Sequence, residues 1–398
     1  VSSSEWCNWS GSLRFQPANV EEPRDEAAVR TLVLRAADRD ERIRAVGAGH
    51  SSSPLVATEH TLVSLKRFAR LESFDKARHI ATIGGGMTLD QAGSALHDIG
   101  LAMPNLGDID QQTVAGAIAT GTHGSGKALQ NLATMLIGGR LVDGLGQLVD
   151  IDEDSDPEVI RAARCSLGLL GILTSIRLRL VPAYRLIRRE LWARTDDVLA
   201  ELGPLIDRNR NFDFYWYPRS DASKLRVMNE DCGAGFVIDG AKLAESREGW
   251  SHEVLSKTRT LKFDEVEYAL PREAGPECFQ KLRTLTKLKY RKNVAWRMLY
   301  RTVAKDDAYL SPAHNRDTAT ISVHHNAGLP FENYFADAER IFREFDGRPH
   351  WGKKHTAGAT QIMKAYPQRD RFLAIRDRFD PARVFANSHL ETTLSIGS

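Results

Sequence analysis

Three glycine-rich segments could use their backbone for chemistry: Val46-Gly47-Ala48-Gly49-His50-Ser51, Asn105-Leu106-Gly107-Asp108, and Gly116 through Gly126. A glycine most often marks a tight turn. Three such segments in one region, each poor in bulky side chains, point instead to backbone wrapped closely around an extended anion. Loop N–H groups of that kind line diphosphates. Two familiar phosphate loops are excluded. Gly47-Ala48-Gly49 lacks the third glycine of the dinucleotide fingerprint and runs into a Ser-rich loop instead of a helix. No G-x-x-x-x-G-K-[ST] run occurs. His50 sits at the tip of the first segment and His123 inside the third. A lone loop histidine is more often exposed or bonded to local backbone than functional. Metal binding by the pair is unsupported, since no carboxylate or cysteine lies at ligand spacing, and no metal is expected.

Taken together and in order, these motifs carry a resemblance. Ala45 to Ser51, Asn105 to Ile109, Thr113 to Ala117 with Thr120 to Gly126, and Ser166-Leu167-Gly168-Leu169-Leu170-Gly171-Ile172 resemble the FAD-binding module of the vanillyl-alcohol oxidase superfamily. Gly347-Arg348-Pro349-His350-Trp351-Gly352-Lys353-Lys354-His355 resembles the signature of its sugar-lactone and alditol oxidase branch. The resemblance runs from Trp6 to about Asn387. It implies FAD, with binding residues at Val46, Gly47, Ala48, Gly49, His50, Ser51, Gly107, Thr113, Gly116, Ala117, Thr120, Gly121, His123, Gly124, Gly171, Ile172 and Lys353. His50 matches the histidine that, in such relatives, is often bonded covalently to the flavin. Doubly attached relatives carry a cysteine in the second glycine loop; Pro104 to Asp110 has none, so a single link is expected. Gly107 matches the place beside the flavin's reactive edge. Glycine there tends to leave room for oxygen, whereas alanine tends to accompany dehydrogenases.

The same resemblance implies catalytic roles for Arg301, Lys353 and Asp108, and His324 is a further catalytic candidate from its place on a strand. Arg301 matches a substrate-contacting arginine, Lys353 a lysine near the flavin, and Asp108 a substrate-side polar group. A solvated charge is the commonest fate of Arg and Lys. Reduced flavin, however, needs cationic or N–H partners. His324 is a candidate base for the alcohol proton, with a purely hydrogen-bonded histidine as the equal alternative. Ser322 shares its face by strand alternation and His325 points away. One position departs from the branch. Relatives usually carry Glu two residues before the matched arginine, and this chain has Leu299. Leucine asks for apolar contact, so free alditols and simple aldonolactones are expected to be poor substrates. The expected reaction is oxidation of a CH–OH group on a small alcohol or sugar-derived substrate, with oxygen reduced to hydrogen peroxide. A dehydrogenase using another acceptor, and an FAD-binding protein without turnover, are the alternatives.

Elements must hold these residues in place. Ala27 to Ala37 has helical spacing, as does the segment after Thr88, whose hydroxyl is a candidate N-cap. Ile43 to Val46, Thr61 to Leu65, Ile80 to Ile83 and Ile172 to Leu180 read as strands, and Leu136 to Asp150 as a hairpin. This alternation is an α/β pattern. After about Ala183, longer strands appear at Phe212 to Tyr217, Lys262 to Tyr268, Trp296 to Val303 and Thr318 to His324. With helical patterns at Val198 to Asn209 and Gly275 to Leu288, they suggest an antiparallel α+β unit. We therefore expect an FAD-binding domain over 1–182, a substrate domain over 183–345, and a C-terminal segment over 346–398 that returns to the flavin.

Composition bounds the rest. At 398 residues the chain exceeds one ordinary core. Lys+Arg 54 against Asp+Glu 52 leaves +2, too little field for a nucleic-acid backbone. No apolar run is long enough to span a membrane. Cys7, Cys165, Cys232 and Cys278 are scattered without a C-x-x-C pair and read as small, partly buried hydrophobes. A cytoplasmic location is the expectation. The chain begins at Val1, which leaves a removed N-terminal segment open.

Overall fold

Val29, Leu32, Val33 and Ala36 form the buried stripe of the first helix, α1 (Glu26–Asp38), and Asp25 caps it by accepting from the Ala28 N–H at 2.8 Å. The computed structural model describes residues 5–230, 235–256 and 260–396. Beside α1, strands β1 (Asn19–Glu21), β2 (Ile43–Val46) and β3 (Thr61–Ser64) form a parallel sheet in the order β1-β3-β2. A second sheet holds β4 (Leu71–Asp75), β5 (Ile80–Gly84), β6 (Leu136–Val142), β7 (Leu148–Asp152) and β8 (Ile172–Arg179), in the order β7-β6-β8-β5-β4. Helix α2 (Leu89–Asp98) starts at a Thr88–Gln91 capping box, and the short α3 (Val114–Ala119) is capped by Thr113.

An eight-stranded sheet follows, built from β9 (Arg185–Arg194), β10 (Asn211–Tyr217), β11 (Ala222–Asn229), β12 (Lys242–Trp250), β13 (Phe263–Pro271), β14 (Met298–Val303), β15 (Thr318–Asn326) and β16 (Arg348–Pro349). Its order is β12-β9-β11-β10-β14-β15-β13-β16, antiparallel throughout. Strand alternation sorts its two faces. Phe212, Phe214, Trp216, Val266, Tyr300 and Ile321 join one core with residues of α4 (Gly275–Leu285) and α5 (Glu332–Glu344). The opposite face carries charge. Arg301 stands between Asp213 and Thr320, Leu299 between Tyr215 and Ser322, and the chain of pairs continues with Glu267 opposite Ser322 and Glu265 opposite His324. A one-residue slip would exchange the two faces, so the apolar core fixes where the charges point.

The C-terminal segment ties the two regions together. β16 adds to the edge of the large sheet beside β13. The Ser52 N–H then donates to the Gly352 carbonyl at 2.9 Å, and Ser53 Oγ to the Trp351 carbonyl at 2.8 Å. Farther on, the Asn387 amide donates to the carbonyls of Pro54 and Ala57, each at 2.9 Å. The expected division into α/β and antiparallel α+β parts is present. Cys165 and Cys278 are buried, Cys7 is exposed, and Cys232 lies outside the described residues. Among the described residues no helix is long and apolar enough to cross a membrane, and no cluster of metal-ligating side chains occurs.

Candidate active site

A cavity of about 1150 Å³ runs between the glycine loops. Val46, Gly47, Ala48, Gly49, His50, Ser51, Thr113, Gly116, Thr120 and Gly171 all line it. The loops touch closely: a Cβ on Gly47 would lie 2.1 Å from Thr113 Oγ1, the hydroxyl that caps α3. A Cβ on Gly124 would lie 2.3 Å from the Leu106 carbonyl oxygen, so this glycine lets the second and third loops meet. Ala117 and Ile172 do not reach the cavity. Ala117 is buried in the core of the first region, and Ile172 points to the opposite side from its neighbour Gly171, in a core with Val29 and Val142. Gly121 borders a smaller cavity of about 280 Å³.

Arg44 is a wall residue that the sequence reading missed. It is 2% exposed and clamps three segments, donating to the carbonyls of Leu55 at 2.9 Å and Leu167 at 2.6 Å, and to that of Phe385. Burial lowers its pKa to about 10.

A second cavity, of about 690 Å³, adjoins the first; His50, Ser51, Gln112 and Thr120 line both. His50 thus stands at the junction. Its Nδ1 is buried without a hydrogen-bond partner. Burial, then the charge of Lys353, lowers its pKa to about 4, so the imidazole is neutral at ordinary pH. A cavity lined in large part by glycine loops, with an unpartnered neutral imidazole in its wall, fits a dinucleotide cofactor such as FAD.

The second cavity brings Gly107, Asp108, His123, Arg301, His324 and Lys353 together. It also contains Glu265 and Glu267, which sequence reasoning missed. Glu267 Oε1 accepts from Arg301 Nη2 at 2.8 Å and lies 3.0 Å from His123 Nε2. Its Oε2 is buried and unpartnered, as is Arg301 Nε. Burial alone would raise the Glu267 carboxyl, but Arg301 and His123 outweigh it and hold it well below the usual range. Glu265 pairs with Lys353 and lies 3.0 Å from His324 Nε2; against its burial, Lys353 and His324 hold it at about 2. His324 Nδ1 lies 2.9 Å from the Arg297 carbonyl oxygen, so both of its ring nitrogens are engaged by protein oxygens.

Asp108 is anchored from the side, accepting from Tyr215 OH at 2.5 Å and from Arg226 Nη1 at 2.8 Å. His350 is also in the wall; its Nδ1 accepts from the Gly352 N–H at 3.1 Å, and burial lowers its pKa to about 3. Leu299 lies within the pocket as an apolar strip, and the carboxylates that line the same space come from β13, across the sheet. The run Asp264-Glu265-Val266-Glu267 held the signal: glutamates two apart in a strand share a face.

The sequence profile of an FAD binding domain matches residues 17–152, and that of D-arabinono-1,4-lactone oxidase matches residues 234–393. L-gulono-1,4-lactone dehydrogenase of Mycobacterium tuberculosis is 33% identical, over 98% of this chain and 99% of its own length. L-gulonolactone oxidase of Mus musculus is 26% identical, over 96% and 97%. Among solved structures, cholesterol oxidase from B. sterolicum superposes with a TM-score of 0.86 at 18% identity, covering 98% of this chain and 97% of that one, a likeness of fold.

Proposed function

This chain belongs to the FAD-dependent family of aldonolactone oxidases and dehydrogenases, and on that premise we propose that it oxidises an aldonolactone at a CH–OH carbon, passes the electrons to oxygen, and holds FAD covalently through His50. The observation that carries the substrate reading is the unpartnered Oε2 of Glu267 beside Arg301 on the pocket floor. A buried carboxylate oxygen without a donor asks for a hydroxyl, and a guanidinium with a spare N–H asks for a carbonyl or ring oxygen. A polyhydroxy lactone brings both. The carboxylate lost at position 299 is thus not lost to the site, which is why we favour the lactone over a less hydroxylated alcohol.

FAD, held by the glycine loops and His50, would supply the hydride acceptor for the carbinol carbon. Glu267 Oε2 would receive the hydrogen bond of the reacting hydroxyl and then its proton, with Arg301 and His123 steadying the carboxylate beforehand. Arg301 would orient the lactone oxygens, and Lys353, held by Glu265, would keep positive charge beside the flavin site. The wall of the C-terminal segment, His350 to Lys353, would limit water.

Gly107 supports oxygen as acceptor. It borders the pocket, and a Cβ there would stand 3.3 Å from both the His123 carbonyl oxygen and Thr122 Cγ2, filling that space tightly. Wild type supplied with L-gulono-1,4-lactone should release hydrogen peroxide in step with turnover, and Gly107→Ala should release it more slowly. The name of the M. tuberculosis relative favours a second reading, a dehydrogenase. Lactone-dependent dye reduction without peroxide would establish that reading and sink the first. For the covalent link, the acid-precipitated protein should stay yellow and His50→Ala should lose its colour; a colourless wild-type pellet rules the link out.

A further inference from the structure

We propose that the substrate pocket continues past Tyr215 and Arg297 into another cavity that takes an anionic end of the substrate, a carboxylate or phosphate carried on a second unit beyond the lactone ring. This rests on the lactone reading and adds the chemistry of the far end. The cavity, of about 750 Å³, lies on the same charged face of the eight-stranded sheet. Tyr215 and Arg297 line both spaces. Leu299 pairs across the strands with Tyr215, and Tyr215 with Lys224, which lies in the farther cavity. Two strand spacings, about 10 Å, therefore separate the apolar strip of the pocket from that lysine. A single lactone ring does not bridge such a gap; a ring carrying a second unit does.

The charges indicate what sits at the far end. Arg188, Lys224, Arg226 and Arg297 face Glu190 and Glu245 there. Arg188 and Lys224 both bind Glu190, and Arg226 is held by Asp108 and Asp213. Arg297 stands apart. Its guanidinium lies 4.1 Å from the Tyr215 ring centre and 5.3 Å from that of Trp296, and its Nε is buried without an acceptor. Among the described residues no carboxylate pairs with it. Arg188, 4% exposed, also keeps a buried Nε without an acceptor. A guanidinium stacked on a ring keeps its in-plane edge available for a forked bond to an oxyanion. Unmade buried donors are costly, and an anion arriving with the substrate would satisfy them.

The test is calorimetric titration of the holoenzyme with cellobiose, cellobiose carrying a carboxylate at C6′, and cellobiose 6′-phosphate. At least one charged sugar should bind about tenfold or more tightly than the neutral one. The tighter of the two identifies the oxyanion. Arg297→Gln should abolish the difference and Arg297→Lys should keep part of it. Lys224→Gln, on a separate strand, should also reduce it and stands in if the arginine variants fail to fold. Equal affinities, no binding of any of the three, or a charge preference that survives Arg297→Gln overturns the proposal. Turnover of L-gulono-1,4-lactone by the same preparation separates the two claims: no turnover with the charge preference intact contradicts the lactone reading and supports the extended site.

Discussion

Glu267 concentrates the chemistry of the pocket in one side chain. One oxygen is tied to Arg301 and His123, and the other, buried without a partner, is the one proposed to meet the substrate. Glu267→Gln keeps the shape and removes the charge, so kcat/KM for L-gulono-1,4-lactone should fall by about 100-fold or more, because a buried ion pair and a substrate bond go together. Steady-state kinetics on the folded variant checks this. The pH dependence follows from the lowered pKa. The folded-state value lies below the unfolded one, so the stabilisation is full above about pH 4.3, falls progressively below it and is gone once pH has passed through the lower folded value. The acid limb of kcat/KM should therefore lie below the ordinary carboxyl range; a limb centred within it would show that the carboxylate is not held by its cations. Leu299 was legible in the sequence as a missing carboxylate. The alternating glutamates of β13 were legible as one strand face, but their place in the same pocket was not, because the pairing of β14 with β15 and of β15 with β13 joins segments far apart in the chain.

Loops and strands differ in how openly the sequence announces them. The glycine loops, the Thr88 and Asp25 caps and the hairpin at Asp143-Gly144 could be read directly, since each rests on local backbone chemistry. β9, β12 and α5 could not. β9 buries Arg188 and Glu190 among its apolar residues, which hides the alternation. β12 is an edge strand exposed along most of its length, and α5 begins without a side-chain cap. Gly47→Ala tests how far the loops depend on one another. The added methyl would collide with Thr113 Oγ1 and push α3 outward, at a cost of about 1–3 kcal/mol. Its melting temperature and flavin content should drop, while Gly203→Ala, with nothing within 4 Å of the new methyl, should keep both. Equal flavin content in the two variants would show that the first and third loops move independently.

At the scale of the whole molecule, one region provides the cavity between the glycine loops, the other provides the charged sheet face, and the C-terminal segment fastens them together. The cavity proposed as the active site lies where these surfaces meet, with His50 on one side and Glu267 and Arg301 on the other. The glycine motifs mark most of the wall of the first cavity, though not Ala117 or Ile172. The substrate side depends on strand register, so its residues surfaced only in the folded chain. The central claim, that this junction oxidises an aldonolactone, is tested most directly by mixing the holoenzyme with L-gulono-1,4-lactone in the absence of oxygen and following the flavin absorbance. The account predicts that the lactone bleaches the flavin, with one lactone oxidised per flavin, and that Glu267→Gln slows the bleaching. A flavin that stays oxidised in saturating aldonolactone, yet is bleached at once by dithionite, would contradict it.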